Sequence, residues 1–166
     1  ARDYDVFCGN FNEFNAPDYT VLAITDLSRM LYFAEDEDSR KWAAELCKIG
    51  WRTILEHYDQ KREQLAPPHS RAYDEFLEKD LFKRMIYVGT NGKFGEIGKC
   101  ESCFEGVPLT LPPEYYEYLT NPKLPRFLQD TFYKENDLRS SDQDTVIVRD
   151  LDCPDLKANT YITEDY

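Results

Sequence analysis

The chain has little basic charge, histidine or uninterrupted apolar sequence, and each shortage excludes a class of protein. Among its 166 residues are 20 Lys and Arg against 32 Asp and Glu, which gives a net charge of −12, and two histidines. Binding of a nucleic-acid backbone needs a basic surface, so no direct nucleic-acid binding is expected. No uncharged run exceeds eight residues. A membrane-spanning helix needs about 18 apolar residues, so we expect a soluble chain without membrane insertion.

Cysteine is sparse and odd in number. The five cysteines cannot all pair within one chain, and their density is low for a disulfide scaffold. No Asn-x-Ser/Thr sequon is present. Both features favour a reducing compartment, with two disulfides and one free thiol as the alternative. No signal peptide is recognised, and the start at Ala1 fits a processed form, a fragment or a tag remnant.

Apolar residues and an uneven acidic charge are what the chain does have. Hydrophobic residues make up 42 % and aromatic residues 14 % of the sequence, enough for the core of a single domain. Residues 1–39 carry nine acidic and two basic side chains, and residues 134–166 carry nine and four. The segment between them is neutral overall. Acidic ends of this kind suit a basic protein partner or mimicry of nucleic acid.

The first half of the chain shows helical periodicity. Residues 1–17 read as an irregular arm, with a short strand at 4–8, and residues 18–84 read as a helical part. The clearest apolar stripe runs through residues 40–65 and ends at the prolines that follow. The predicted helices begin after Asp18 or Thr20, after Ser39 as N-cap, and after Ser70, the last with Tyr73, Phe76, Leu77, Leu81 and Phe82 facing inward.

The second half, residues 85–166, reads as mixed structure. Met85–Val88 favours a strand and Asn91-Gly92 favours a two-residue turn, which together predict a hairpin over 85–98; continuation of the third helix to Val88 is the alternative. The remaining predictions are short helices at Glu114–Leu119 and Arg126–Tyr133, a polar loop at 134–143, and strands at Thr145–Val148 and Asn159–Thr163. The predicted fold class is therefore α+β, one domain in which an N-terminal three-helix portion packs on a small antiparallel sheet made of the hairpin and the C-terminal strands.

Cys100-Glu-Ser-Cys103 lies in the most glycine-rich stretch, residues 89–106. Two thiolates at this spacing can provide half of a tetrahedral zinc site, but no second Cys-x-x-Cys or Cys-x-x-His is present. Disulfide formation, redox activity and free thiols in a turn are the alternatives. No cofactor is expected, and zinc is the one metal considered. The candidates for the missing ligands are Cys8, Cys47, Cys153, His57 and His69.

Two further features suggest contacts with a protein partner. Tyr115, Tyr116 and Tyr118 cluster on a proline-bounded helix, where one turn cannot bury all three rings, so at least one should be exposed. The acidic run contains Asp36, Glu37 and Asp38. Acidic pairs such as Asp150 and Asp152 read as solvated strand-end charges rather than acid–base catalysts.

The function that the sequence favours is therefore non-catalytic. We expect an acidic protein-interaction module or assembly subunit, with acidic ends for steering and aromatic segments for anchoring. Three alternatives stay open. They are a metal- or disulfide-stapled or redox domain built on the Cys-x-x-Cys pair, an acidic nucleic-acid mimic that inhibits a DNA-binding protein, and a small enzyme with a concave site.

Overall fold

A computed structural model gives the architecture. It describes residues 2–11, 13, 15–67, 69–73, 79–97, 106–121 and the strand segments 126–132, 139–140, 147–148 and 156–162. The helices are α1 (Arg2–Cys8), α2 (Pro17–Phe33), α3 (Glu37–His57), α4 (Lys79–Gly89) and α5 (Glu117–Thr120), the last preceded by a 3-10 turn at Pro113–Tyr115. The strands are β1 (Tyr58–Asp59), β2 (Gln64–Leu65), β3 (Arg126–Phe132), β4 (Arg139–Ser140), β5 (Ile147–Val148) and β6 (Leu156–Ile162).

The strands form small antiparallel pairs. β1 pairs with β2, β3 pairs with β6 from Arg126↔Ile162 to Phe132↔Leu156, and β4 pairs with β5. Helices combined with two-stranded antiparallel sheets confirm the mixed α+β class. None of the described helices is both long and apolar enough to cross a membrane.

Helices α2 and α3 pack along each other and form the main layer of the helical part. Gly50 on α3 permits the close approach, because a Cβ atom there would lie 2.6 Å from Ile24 Cγ1. Helix α3 begins after Asp36, whose carboxylate accepts a hydrogen bond of 2.7 Å from the backbone N–H of Ser39. Ser39 was the predicted N-cap, and that prediction is wrong: an acidic side chain three residues earlier caps the helix.

The core is centred on α3 and α4. Trp51 and Ile54 on α3, Met85 and Ile86 on α4, and Leu111 in the segment that follows are all buried. Leu111 donates its backbone N–H to Gly89 O at 2.7 Å, which fastens residues 107–111 to the end of α4. The remaining buried hydrophobic members of this cluster are Val21, Ile24, Leu55, Tyr58, Leu65, Phe82, Val107, Leu109 and Leu119.

The predicted hairpin over 85–98 is wrong, because α4 extends through Gly89. Phe82, Met85 and Ile86 have helical spacing and are all buried, so packing of one helical face outweighs the local strand preference. Asn91 and Gly92 have φ values of 52° and 77°. The N–H of Gly92 bonds to Tyr87 O at 2.8 Å and that of Asn91 to Val88 O at 3.2 Å. This is the hydrogen-bond pattern of a Schellman helix end.

Four other sequence predictions need correction. The strand expected at 4–8 is helix α1, and the helix expected at Arg126–Tyr133 is strand β3. The third helix does not begin after Ser70, since residues 69–73 are not helical and Tyr73 is exposed rather than inward-facing. The loop expected at 134–143 contains the short strand β4. A short helix at Glu114–Leu119 and C-terminal strands are found close to their predicted positions.

Candidate interaction surface

Helix α2 carries apolar residues on two opposite faces. The face packed on α3 contains Val21 and Ile24, both buried. The opposite face contains Tyr19, Leu22, Met30 and Phe33, all among the exposed large hydrophobic residues, with an Asp26–Arg29 ion pair of 2.7 Å between them. The spacings of three, eight and three residues along this second set keep it on one side of the helix. This outer face of α2 extends for about 21 Å.

Exposure is greatest at the C-terminal end of α2. Tyr32 and Phe33 are each 69 % exposed, and their rings contact each other edge-on, with centroids 5.2 Å apart and planes at 69°. Met30 lies one turn earlier and is also exposed. We call Met30, Tyr32 and Phe33 the aromatic end of α2. Apolar side chains grouped at a helix end without cover are typical of an interaction site.

The acidic run follows directly on the aromatic end of α2. Asp36 is committed to capping α3, and this hydrogen bonding from Ser39 lowers the pKa of its carboxyl below the ordinary value. Glu37 and Asp38 are exposed and lie 3.1 Å and 3.9 Å from the ammonium of Lys41. Two carboxylates sharing one exposed cation keep the potential negative here. The structure thus places Asp36, Glu37 and Asp38 beside an apolar patch that the sequence had not singled out.

The other end of the outer face is already occupied by an intramolecular cluster. Tyr19 and Tyr73 share a hydrogen bond of 3.0 Å between their hydroxyl groups. The Arg71 guanidinium lies 5.8 Å from the centre of the Tyr19 ring and 3.0 Å from Glu13. These partners distinguish this end of the helix from the aromatic end of α2.

The tyrosine cluster of the sequence is packed inward. Tyr115, Tyr116 and Tyr118 are each partly buried against the core. The Tyr116 ring contacts Phe94 edge-on at 5.3 Å, and the Tyr118 hydroxyl lies 3.5 Å from Glu56 Oε1. Burial raises the pKa of Tyr115. The expectation that at least one of the three rings is exposed is wrong. The rings do not share one helical face, and each packs against a different part of the core.

The predicted zinc ligands Cys100 and Cys103 lie outside the described residues, as do Cys153, Asp150 and Asp152. Cys47 is a free, buried thiol whose pKa burial raises to about 11, so it is protonated at neutral pH. Within the described part of the chain, no group of three or more potential metal ligands is found. The zinc and disulfide alternatives therefore stay predictions.

The two histidines join one polar cluster beneath the start of α2. His57 is buried with Nδ1 2.8 Å from Thr53 O, and His69 Nδ1 lies 2.9 Å from Asn15 O. The Asn15 amide donates to Ala66 O at 2.8 Å, which ties the cluster together. Burial lowers the pKa of His69. Ala66 also donates its backbone N–H to His57 O at 2.7 Å, so the end of the β1–β2 turn links two histidines that are distant in sequence.

Comparison with known proteins gives no relative. No protein-family model matches the chain, no curated protein matches it, and no solved structure matches it.

Proposed function

We propose that this protein is a non-catalytic, acidic interaction module that binds a basic protein partner through the aromatic end of α2. The observation that carries the proposal is the position of two largely exposed rings in edge-on contact, Tyr32 and Phe33, one residue before the acidic run at 35–38. Aromatic anchors at the centre of an interface, bordered by charge, are the usual arrangement of protein-binding hot spots.

The exposed rings are large enough to matter for affinity. An aromatic side chain buries about 150–250 Å² when fully covered, so a partner that covers the exposed part of Phe33 removes about 100–170 Å² from water. At about 25 cal/mol per Å² this contributes up to about 4 kcal/mol before the costs of association. A partner that covers Tyr32 as well gains a similar amount. Together the two rings contribute up to about 8 kcal/mol before association costs of about 4–15 kcal/mol, so further contacts must add to the affinity.

The charge around the anchors specifies the chemistry of the partner. Glu35, Glu37 and Asp38 are exposed, and Lys41 is the cation that lies beside the last two. Lys or Arg side chains on the partner would approach this negative potential faster and dock in a preferred orientation. We therefore propose an amphipathic partner segment with apolar residues on one side and basic residues beside them.

The alternatives predict different behaviour at this surface. A nucleic-acid mimic works through charge, whereas the aromatic end of α2 adds apolar area that DNA does not present. The stapled or redox alternative depends on Cys100 and Cys103, which have no role in the proposed partner contact. The packing of the helical part on the C-terminal strands likewise stays a prediction.

Selection from a random peptide library displayed on phage tests the proposal directly. The expected result is enrichment of peptides that combine aromatic or aliphatic residues with Lys or Arg. Phe33→Ser should weaken the binding of an enriched peptide about 30-fold, since loss of a central anchor costs about 2 kcal/mol. Ile97→Ser is the matched control, because Ile97 is 64 % exposed but lies outside α2.

Two outcomes would contradict the proposal. Failure to enrich any peptide would leave the aromatic end of α2 without a binding role. Equal binding of the enriched peptide to the wild type and to Tyr32→Ser/Phe33→Ser, combined with loss of binding in moderate salt, would indicate recognition of charge alone and favour the nucleic-acid mimic.

A further inference from the structure

A small cleft opens between α4, the β1–β2 turn and the loop after α4, away from the residues of α2. Its volume is about 190 Å³. The side chains of Ile86, Phe94 and Leu119 supply an apolar wall. Cofactor and drug sites usually measure about 300–1,000 Å³. The cleft is therefore the right size for one side chain or one small molecule.

The charged rim of the cleft has more carboxylate than ammonium. Lys83 Nζ lies 2.7 Å from Glu63 and 3.8 Å from Glu96. Lys83 is the single cation among the described lining residues. Its side chain is only 17 % exposed, whereas that of Glu96 is 75 % exposed. The rim therefore has one carboxylate charge more than its ammonium balances. Glu96 is more available to a ligand than Glu63, because its contact with Lys83 is longer and its side chain is more exposed.

The backbone holds this rim in place. Gly95 has a φ of +76°, and a Cβ atom there would lie 2.3 Å from Lys83 O, so the loop rests directly on α4. Thr90 is buried, donates its hydroxyl to Ile86 O at 2.7 Å, and accepts the N–H of Phe94 at 3.1 Å. Phe94 and Glu96 therefore lie in a loop that is held against α4 by close packing at Gly95 and by the hydrogen bond to Thr90.

We infer that this cleft binds an organic cation, a primary ammonium or guanidinium group on an apolar stem. The stem would lie on Ile86 and Leu119, and the charged group would meet Glu96 and the edge of the Glu63–Lys83 pair. The Phe94 ring adds a face that attracts cations. An anion would approach Lys83 only by facing two carboxylates. The inference does not depend on the proposed function, because the lining shares no residue with α2.

The cation can come from a free amine or from a Lys or Arg side chain of a peptide. Titration of the full ¹⁵N-labelled chain with agmatine and with N-acetyl-arginine methylamide separates these sources. N-acetyl-citrulline methylamide is the neutral control for the second probe. We expect amide shifts at 94–96 with millimolar affinity for at least one cationic probe and none for the citrulline compound; a larger response to the arginine compound than to agmatine indicates a peptide side chain.

Variants of the rim decide the sign of the recognised charge. Glu96→Gln should weaken binding about fivefold, the effect of about 1 kcal/mol at a solvent-exposed ion pair. Lys83→Met should tighten binding by a similar factor, because it releases both carboxylates. Glu117→Gln is the control, since that exposed acid on α5 does not line the cleft.

Three results would overturn the inference. They are absence of shifts at 94–96 with both cationic probes, equal binding of the citrulline compound, and an unchanged or stronger affinity in Glu96→Gln. The Glu96 substitution alone keeps the test valid if Lys83→Met fails to fold.

Discussion

Gly50 lies at a close contact between α2 and α3, and Gly50→Ala tests the packing that turns the aromatic end of α2 outward. A Cβ atom at this position would lie 2.6 Å from Ile24 Cγ1 and 2.9 Å from Ile24 Cδ1. Carbon atoms in contact are normally about 3.5–4.0 Å apart. Ile24 is fully buried, so it cannot rotate away into solvent.

Two effects of Gly50→Ala oppose each other. Alanine favours a helix interior over glycine by about 1 kcal/mol. Overpacking of a core costs about 1–3 kcal/mol, and overlap with two atoms of a buried side chain places this case at the upper end. We therefore expect the free energy of unfolding to fall by about 1–2 kcal/mol, measured by urea denaturation followed by circular dichroism.

A mutant cycle with Ile24 measures the contribution of the α2–α3 contact. In Ile24→Ala the two closest atoms are absent and Phe11 Cε2, at 3.0 Å, is the remaining near neighbour of the new Cβ. Adding Gly50→Ala should therefore be much less destabilising there than in the wild type, and at best stabilise by up to about 1 kcal/mol. Ile24→Val is the matched control, because valine keeps its γ carbons and Gly50→Ala should stay destabilising there. Stabilisation by Gly50→Ala in the wild type, or the same effect in all three backgrounds, would refute the α2–α3 contact.

Three further predictions concern the loop, the polar cluster and the buried thiol. Gly95→Ala should destabilise the chain by about 2 kcal/mol or more, because a left-handed backbone and a clash with Lys83 O combine; thermal unfolding measures this. The pKa of His69 is lowered by burial, so the folded state prefers neutral imidazole. Stability should fall as pH drops from about 6.5, where the unfolded imidazole protonates, through the lower folded pKa, and His69→Gln should reduce this fall in urea titrations at pH 7.5 and 5. Cys47, with its pKa of about 11, should resist iodoacetamide at pH 8 in peptide mass spectrometry and react after unfolding; rapid reaction of the native protein would show that the thiol is accessible.

The long helices could be predicted because their periodicity is strong and local. The stripe at residues 40–65 predicted most of α3, with Trp51 and Ile54 buried, but the predicted end was wrong: the helix ends at His57, and β1 and β2 follow before the prolines. The ends were harder to place, since Asp36 and Ser39 are both good caps and only the observed hydrogen bond distinguishes them. The hairpin prediction was wrong for a related reason. Asn91-Gly92 suits a turn between strands and a helix end equally well, and burial of the preceding residues on one helical face decides between them.

The candidate surface shows the same division. The acidic run could be read from the sequence, but the exposed aromatic residues beside it could not be identified correctly. The rings at 115–118 are packed on the core, whereas Tyr32 and Phe33 are exposed. The available signal was that α2 has more apolar residues than one face can bury. The two histidines and the cleft at Lys83 depend on contacts between distant segments, which carry no local pattern.

Composition and short-range periodicity by themselves determined an acidic chain with a substantial core and long amphipathic helices, because those properties depend on residue type and on neighbours a few positions away. Only the tertiary structure decided which side of α2 is covered. Both sides are apolar, and the choice follows from Gly50, whose missing side chain lets α3 approach Ile24 closely and leaves Phe33 facing water.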